Sequence, residues 1–140
     1  NSLVLDLAGK SFSYFDISYE RYLSEKFHIG AGVGLGGIST LYINPDEMAK
    51  EYSIRFPVYC AYRLGKKKHH AVTELGMTID VNFSSFGSSI SSLIPFISMG
   101  YEFKGEKIII RVPVYLAYIG ENEWYPSIML WAGFSIGVPF

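Results

Sequence analysis

Apolar and polar side chains alternate with a period of two along most of this chain, the spacing of a half-buried β-strand rather than of a helix. The alternation resolves into eight runs, near 3–9, 12–23, 27–38, 52–64, 70–82, 93–103, 107–118 and 127–140. Three stretches, 27–45, 81–101 and 124–140, carry no formal charge over lengths that invite comparison with a transmembrane helix. Their contents point the other way. Gly30, Gly32, Gly34 and Gly36 fall on every second position, which is a strand period and a poor helix. The stretch 81–101 holds a serine-rich middle, Gly87 and Pro95. The connections also alternate: 24–26, 65–69 and 104–106 are short and polar, whereas 39–51, 83–92 and 119–126 are longer. Gly9-Lys10-Ser11 is the exception, a tight connection where a longer loop is expected. Short turns at one end and longer loops at the other are the habit of outer-membrane barrels, with the turns periplasmic.

Sorting residues by face sharpens the picture. The third run sets Phe27, Ile29, Ala31, Val33 and Leu35 against His28 and four glycines. The seventh sets Ile108, Ile110, Val112, Val114, Leu116 and Tyr118 against Ile109, Arg111, Pro113, Tyr115 and Ala117. Formal charges gather on the second face, as Asp6, Asp16, Glu20, Arg55, Arg63, Glu74, Asp80, Glu102 and Arg111, and the one placed on the apolar face is Arg21. Alternation alone also suits a soluble lipocalin-like barrel or a sandwich with its apolar face inward. Volume separates the two. The lumen of eight strands is only wide enough for side chains to fill it. The apolar face, crowded with Ile, Leu, Val, Phe and Tyr, would overfill that space, whereas Gly, Ala and Ser with a few charges and aromatics, among them Tyr59, Phe96, Tyr115, Met129 and Trp131, would fit. The expected fold is therefore all-β: one domain, 1–140, forming an eight-stranded antiparallel up-and-down transmembrane β-barrel with short periplasmic turns.

Composition agrees. Charged residues are 18% of the chain, below the roughly 25% of an average soluble domain. With 12 Lys and Arg against 13 Asp and Glu there is no basic field to suggest nucleic acid. The single cysteine, Cys60, excludes an intrachain disulfide and a cysteine-based zinc cluster. Aromatics collect at the expected periplasmic interface, at Tyr22, Phe27, Tyr62, Tyr101, Phe103 and Phe140, as in an aromatic girdle. The last residues place Phe134, Ile136, Val138 and Phe140 at alternate positions, a pattern that resembles the carboxy-terminal signal read by the outer-membrane assembly machinery.

Chemistry is sparser. The inward acids and arginines read as a packed network whose members pair because unpaired buried charges are costly, not as an acid–base cleft. His69 and His70 follow Lys66-Lys67-Lys68; adjacent strand residues point oppositely and do not share a metal easily, so the run reads as a solvated basic turn. A lipid-A-modifying barrel enzyme would need a serine close to a histidine. Ser127, Thr73 and 84–92 supply hydroxyls, but His28, His69 and His70 all belong to the opposite, periplasmic end. No catalytic residue, metal site or cofactor is expected. The expected partners are outer-membrane lipid, the assembly machinery and a larger outer-membrane complex.

The run Ile17-Ser18-Tyr19-Glu20-Arg21-Tyr22, and Tyr62-Arg63-Leu64-Gly65-Lys66-Lys67-Lys68-His69-His70 leading into Glu74-Leu75-Gly76, are similar to the small outer-membrane barrels of Bacteroidota known as porin-family proteins. Architecturally these are of the OmpA/OmpX type. The resemblance implies fold and outer-membrane location and carries no activity, so the chain is expected to be a non-enzymatic structural or accessory subunit. Pro57, Pro95 and Pro113 fall inside strands, where each removes a ladder hydrogen bond and calls for a bulge or local break. Two segments, Ile54–Tyr62 and Ile110–Tyr118, share the order Arg-x-Pro-x-Tyr on their inner face.

Overall fold

Eight amphipathic strands can satisfy every ladder hydrogen bond only by closing the sheet, and the computed structural model of this chain is such a closure. It describes residues 1–11, 15–44, 47–84, 87–119 and 128–140; positions 12–14, Ser127 and most of the 119–126 connection lie outside the described residues. The strands are β1 (Ser2–Leu7), β2 (Phe15–Tyr22), β3 (Phe27–Asn44), β4 (Glu47–Lys66), β5 (His69–Ser84), β6 (Gly87–Lys104), β7 (Ile109–Tyr118), β8 (Ile128–Ala132) and β9 (Phe134–Pro139). Strands β1 to β7 pair antiparallel in chain order, β7 also pairs with β8 and β9, and β9 returns to β1. Because β8 and β9 are halves of one strand, the barrel is eight-stranded and up-and-down.

The faces divide as their volumes require. Asp6, Asp16, Ser18, Glu20, His28 and Glu102 are fully buried in the lumen, while Leu3, Val33, Leu75, Ile97, Val112, Val114, Leu116 and Val138 are exposed on the outer wall. An apolar band of this extent is unstable against water and stable against lipid. The inward-facing apolar reading of a lipocalin-like barrel is thereby overturned. Tyr59, Phe96 and Tyr115 form an apolar layer inside, where Tyr115 stacks on the half-buried Trp131 at 5.1 Å and meets Phe96 edge-on at 5.9 Å. Met129 keeps the expected face, paired with the buried Ala117, but is exposed near Tyr118/Ile128, the last described pair of this ladder.

Two expected long loops are largely strand. The hairpin β3–β4 stays paired as far as Asn44 and Glu47, and β5–β6 as far as Ser84 and Gly87, with register shifts at Leu35/Ile38, Tyr42/Asn44 and Asp80/Val81 absorbing the irregular sequence. Strands of 16–20 residues exceed the 9–11 or so needed to span a bilayer. The first connection also departs from expectation. Strand β1 stops at Leu7, and residues 8–11 turn into the lumen, with Ala8 at a φ of 54°.

Pro113 explains why the eighth strand is split. Its carbonyl accepts from Gly133 N at 2.9 Å, but without an N–H it returns nothing, and the ladder resumes on either side at Val114/Ala132 and Arg111/Ser135. On its other side Pro113 faces Gly100, where an added Cβ would lie 2.6 Å from Pro113 Cα. Pro57 likewise sits in a gap in the β3–β4 ladder, between Ala31/Val58 and Gly34/Arg55, with no change of register. A local break occurs at both, whereas Pro95 stays in register opposite Met77. The shared Arg-x-Pro-x-Tyr order thus places a proline against glycine-lined backbone in both strands. At the short-turn end Tyr62, Tyr101 and Phe140 are exposed on the outer wall and Phe27 and Phe103 are half-buried. Tyr22 is not part of this girdle; its hydroxyl belongs to the lumen.

These facings give a direct test. Val114→Arg, on the lipid-facing wall, is expected to cost about 2–4 kcal/mol of folding free energy in bilayers. Gly100→Ala is expected to lower the folded yield for a steric reason, because its Cβ would meet backbone rather than a movable side chain. Folded fraction by heat-modifiable gel migration, with urea titration in lipid vesicles, reads both; a Val114→Arg protein as stable as wild type contradicts the assigned facing.

Candidate functional site

The lumen is where this sequence concentrates its chemistry, and strand register decides which groups meet. Glu20 on β2 is the hub. Arg111, from β7, donates to it through both terminal nitrogens, Nη2 at 2.8 Å. Tyr59 OH and Ser2 Oγ each donate to the same carboxylate at 2.8 Å, and His28 Nε2 lies 3.6 Å away. The third nitrogen of Arg111, Nε, donates to Glu102 on β6 at 2.5 Å. Arg63 on β4 reaches Glu102 from the other side, Nη2 to Oε2 at 3.1 Å, and also donates to Tyr22 OH at 2.6 Å. Four strands are therefore joined by two arginines and two carboxylates with almost no exposed side chain. The planar guanidinium suits this bridging because it offers a fixed fork of donors.

Above this layer the lumen is filled by a residue that strand reasoning missed. Lys10 is fully buried; Nζ lies 3.1 Å from Asp6 Oδ2, 3.6 Å from Glu74 Oε1 and 4.5 Å from the centre of the Tyr59 ring. Thr78 Oγ1 donates to the Lys10 carbonyl at 2.7 Å, and Arg55 Nη1 donates to the Ser11 carbonyl at 3.2 Å, so the inserted segment is held by its backbone as well. Glu74 also accepts from Ser98 Oγ at 2.9 Å. Asp6 accepts from Ser135 Oγ, and Asp16 accepts from Ser11 Oγ at 2.7 Å. Nearest the long-hairpin end, Arg55 Nε donates to Asp80 Oδ2 at 3.1 Å.

All nine inward charges named from the sequence lie in the lumen, but in separate layers. Glu20, Arg63, Glu102 and Arg111 meet directly; Glu74 touches them only through Arg111 Nη1 at 3.9 Å. Asp6 and Asp16 face each other across the β1–β2 ladder and are served by Lys10 and serines rather than by an arginine. A count of charge held the missing signal. Six acids against three arginines left a deficit inside, and Lys10 is the nearest cation in the chain. The two histidines after the lysine run diverge: His69 Nδ1 sits 2.5 Å from Tyr101 OH at the outer wall, and His70 turns inward toward Glu102. Among the described residues no three His, Cys, Asp or Glu side chains are arranged to hold a metal ion. The carboxy-terminal positions Phe134, Ile136, Val138 and Phe140 are exposed on the outer wall.

No protein-family model and no curated protein matches the chain. Solved structures do. Neisserial surface protein A (NspA) superposes with a TM-score of 0.56 over 99% of this chain and 92% of its own, at 14% identity. The N-terminal β-barrel domain of Pseudomonas aeruginosa OprF gives 0.53 over 98% and 93%, at 12% identity. Both are eight-stranded outer-membrane barrels, and at such identities the likeness is one of fold. The fold of this chain is that of a small outer-membrane β-barrel.

Arg111→Ala is expected to destabilise the barrel by about 3–5 kcal/mol, because it leaves the buried Glu20 without an arginine and Glu102 with Arg63 alone. Arg111→Ala combined with Glu20→Gln should recover part of that loss. A double-mutant cycle by urea unfolding in detergent measures it, and additive losses would show that the two groups are not coupled.

Proposed function

We propose that the protein is a non-enzymatic, non-conducting element of the bacterial outer membrane, acting as a structural or accessory subunit of a larger assembly in that membrane. The observation that carries this reading is the sealed lumen. Two arginines and a buried lysine are locked against carboxylates from several strands, and Tyr59, Phe96 and Tyr115 pack inside the same lumen. Opening a continuous water path would strand these charges, at a cost of several kcal/mol each. A barrel closed in this way works through its outer wall, its rims and its loops.

The apolar wall and the likeness to outer-membrane barrels support outer-membrane residence, with the short turns in the periplasm. The resemblance to the porin-family barrels of Bacteroidota fits the same reading without implying transport. Absence of catalysis is part of the proposal. It is supported by the placement of the histidines, each at the short-turn end beside Glu20, Tyr101 or Glu102. The alternate apolar positions Phe134, Ile136, Val138 and Phe140 on the last strand would be the segment read by the assembly machinery.

Planar-bilayer recording of the pure protein is expected to show no stable openings, and Arg111→Ala is expected to leak. Reproducible wild-type openings would favour transport and remove the structural reading. Fractionation should recover the protein in the outer membrane, together with any subunit that survives mild detergent. Phe140→Asp should reduce the recovered amount while sparing folding in detergent; equal recovery would dissociate this residue from assembly.

A further inference from the structure

The run Lys66-Lys67-Lys68 reads as a solvated basic turn, yet together with the other short turns it lines a recess of ≈ 790 Å³ at the mouth of the barrel. Lys26 comes from the β2–β3 turn, Lys67 and Lys68 from the β4–β5 turn, and Arg63, Lys66 and Lys104 from the strand ends, so six cations line one space against Glu25 and Glu106. Sequence separation hides this, because the three contributing segments are far apart along the chain.

The recess is built rather than incidental. Arg63 N donates to the Lys26 carbonyl at 2.7 Å, and Lys104 N donates to the Lys68 carbonyl at 2.8 Å, so each turn is tied to a neighbouring strand. Arg63 is fixed in its place by Glu102 and Tyr22 OH, and Lys104 Nζ rests 4.0 Å from the centre of the Tyr22 ring. Lys67 adopts a φ of 62°, in the left-handed region that a two-residue hairpin turn ordinarily gives to Gly or Asn. A cation is thus kept where a glycine would be less strained, a pattern associated with functional positions.

We propose that this recess binds an anion carrying several phosphate-type charges. A single carboxylate would leave most of the cations unmatched, whereas lysines are point-charge phosphate ligands with freely rotating donors. Two sources present this chemistry at the mouth: a soluble oligophosphate-bearing molecule, or the headgroup of an anionic phospholipid in the adjacent leaflet. The inference goes beyond the structural role proposed above and holds whether or not the lumen conducts.

The test uses the full chain, refolded in nanodiscs of phosphatidylcholine, with inorganic tripolyphosphate as the probe in calorimetric titrations at low ionic strength. One-to-one binding is expected. The double variant Lys26→Ala/Lys68→Ala should weaken it by about tenfold, the scale of two lost solvent-exposed ion pairs. The matched control Arg21→Ala/Lys107→Ala removes two exposed cations outside the recess and should change it by no more than about twofold. Lys104→Gln, on a strand, should also weaken binding and does not depend on turn variants folding. Replacing part of the lipid with phosphatidylglycerol separates the sources. A raised apparent Kd assigns the recess to lipid headgroups, and an unchanged one assigns it to soluble phosphates. No one-to-one binding, or equal loss in the variant and control pairs, overturns the proposal.

Discussion

Closing eight antiparallel strands leaves a lumen only as wide as the side chains that fill it, and a closed sheet has no edge on which to place anything else. Large aliphatic residues are forced outward by that width, and the outward face then requires lipid. Glycines, serines and alanines are forced inward, together with whatever charge the chain must bury. Inward prolines become tolerable beside glycine, as at Gly100 and Pro113, because small residues let neighbouring backbones adjust where a ladder bond is missing.

Within that lumen the groups that matter are ones no single strand could hold. Glu20 would be an isolated buried carboxylate without β7, and Arg111 an isolated buried cation without β2 and β6. Each charge is tolerable only because closure delivers its partner, which couples the electrostatics to the topology. Lys10 extends the same logic to a connection: a segment between strands folds inward because the carboxylates of Asp6 and Glu74 offer its ammonium a better place than the rim does. The interior is then filled by paired side chains of opposite sign.

The two ends of the barrel differ in kind. One is finished by short turns whose backbones are bonded to neighbouring strands, and there cations from three segments converge. The other carries the long hairpins β3–β4 and β5–β6, whose strands run 16–20 residues. Such a barrel presents a different surface at each of its two ends.

Much of this architecture was legible in the sequence, because a period of two and a volume limit are local and additive facts. The eight runs, the sign of each face, the inward placement of the nine charges and the outward Phe134, Ile136, Val138 and Phe140 follow from reading alternate positions. Ladder length was not legible. Residues 39–44 and 87–92 look like loop by composition and become strand because a paired neighbour supplies the hydrogen bonds. Nor could alternation reveal Lys10, which lies outside any strand. Pairings such as Arg111 with Glu20, 91 positions away in the chain, and the meeting of Lys26, Lys68 and Lys104 at one mouth, depend on register and closure. Those are properties of the whole sheet, and only the tertiary structure decided them.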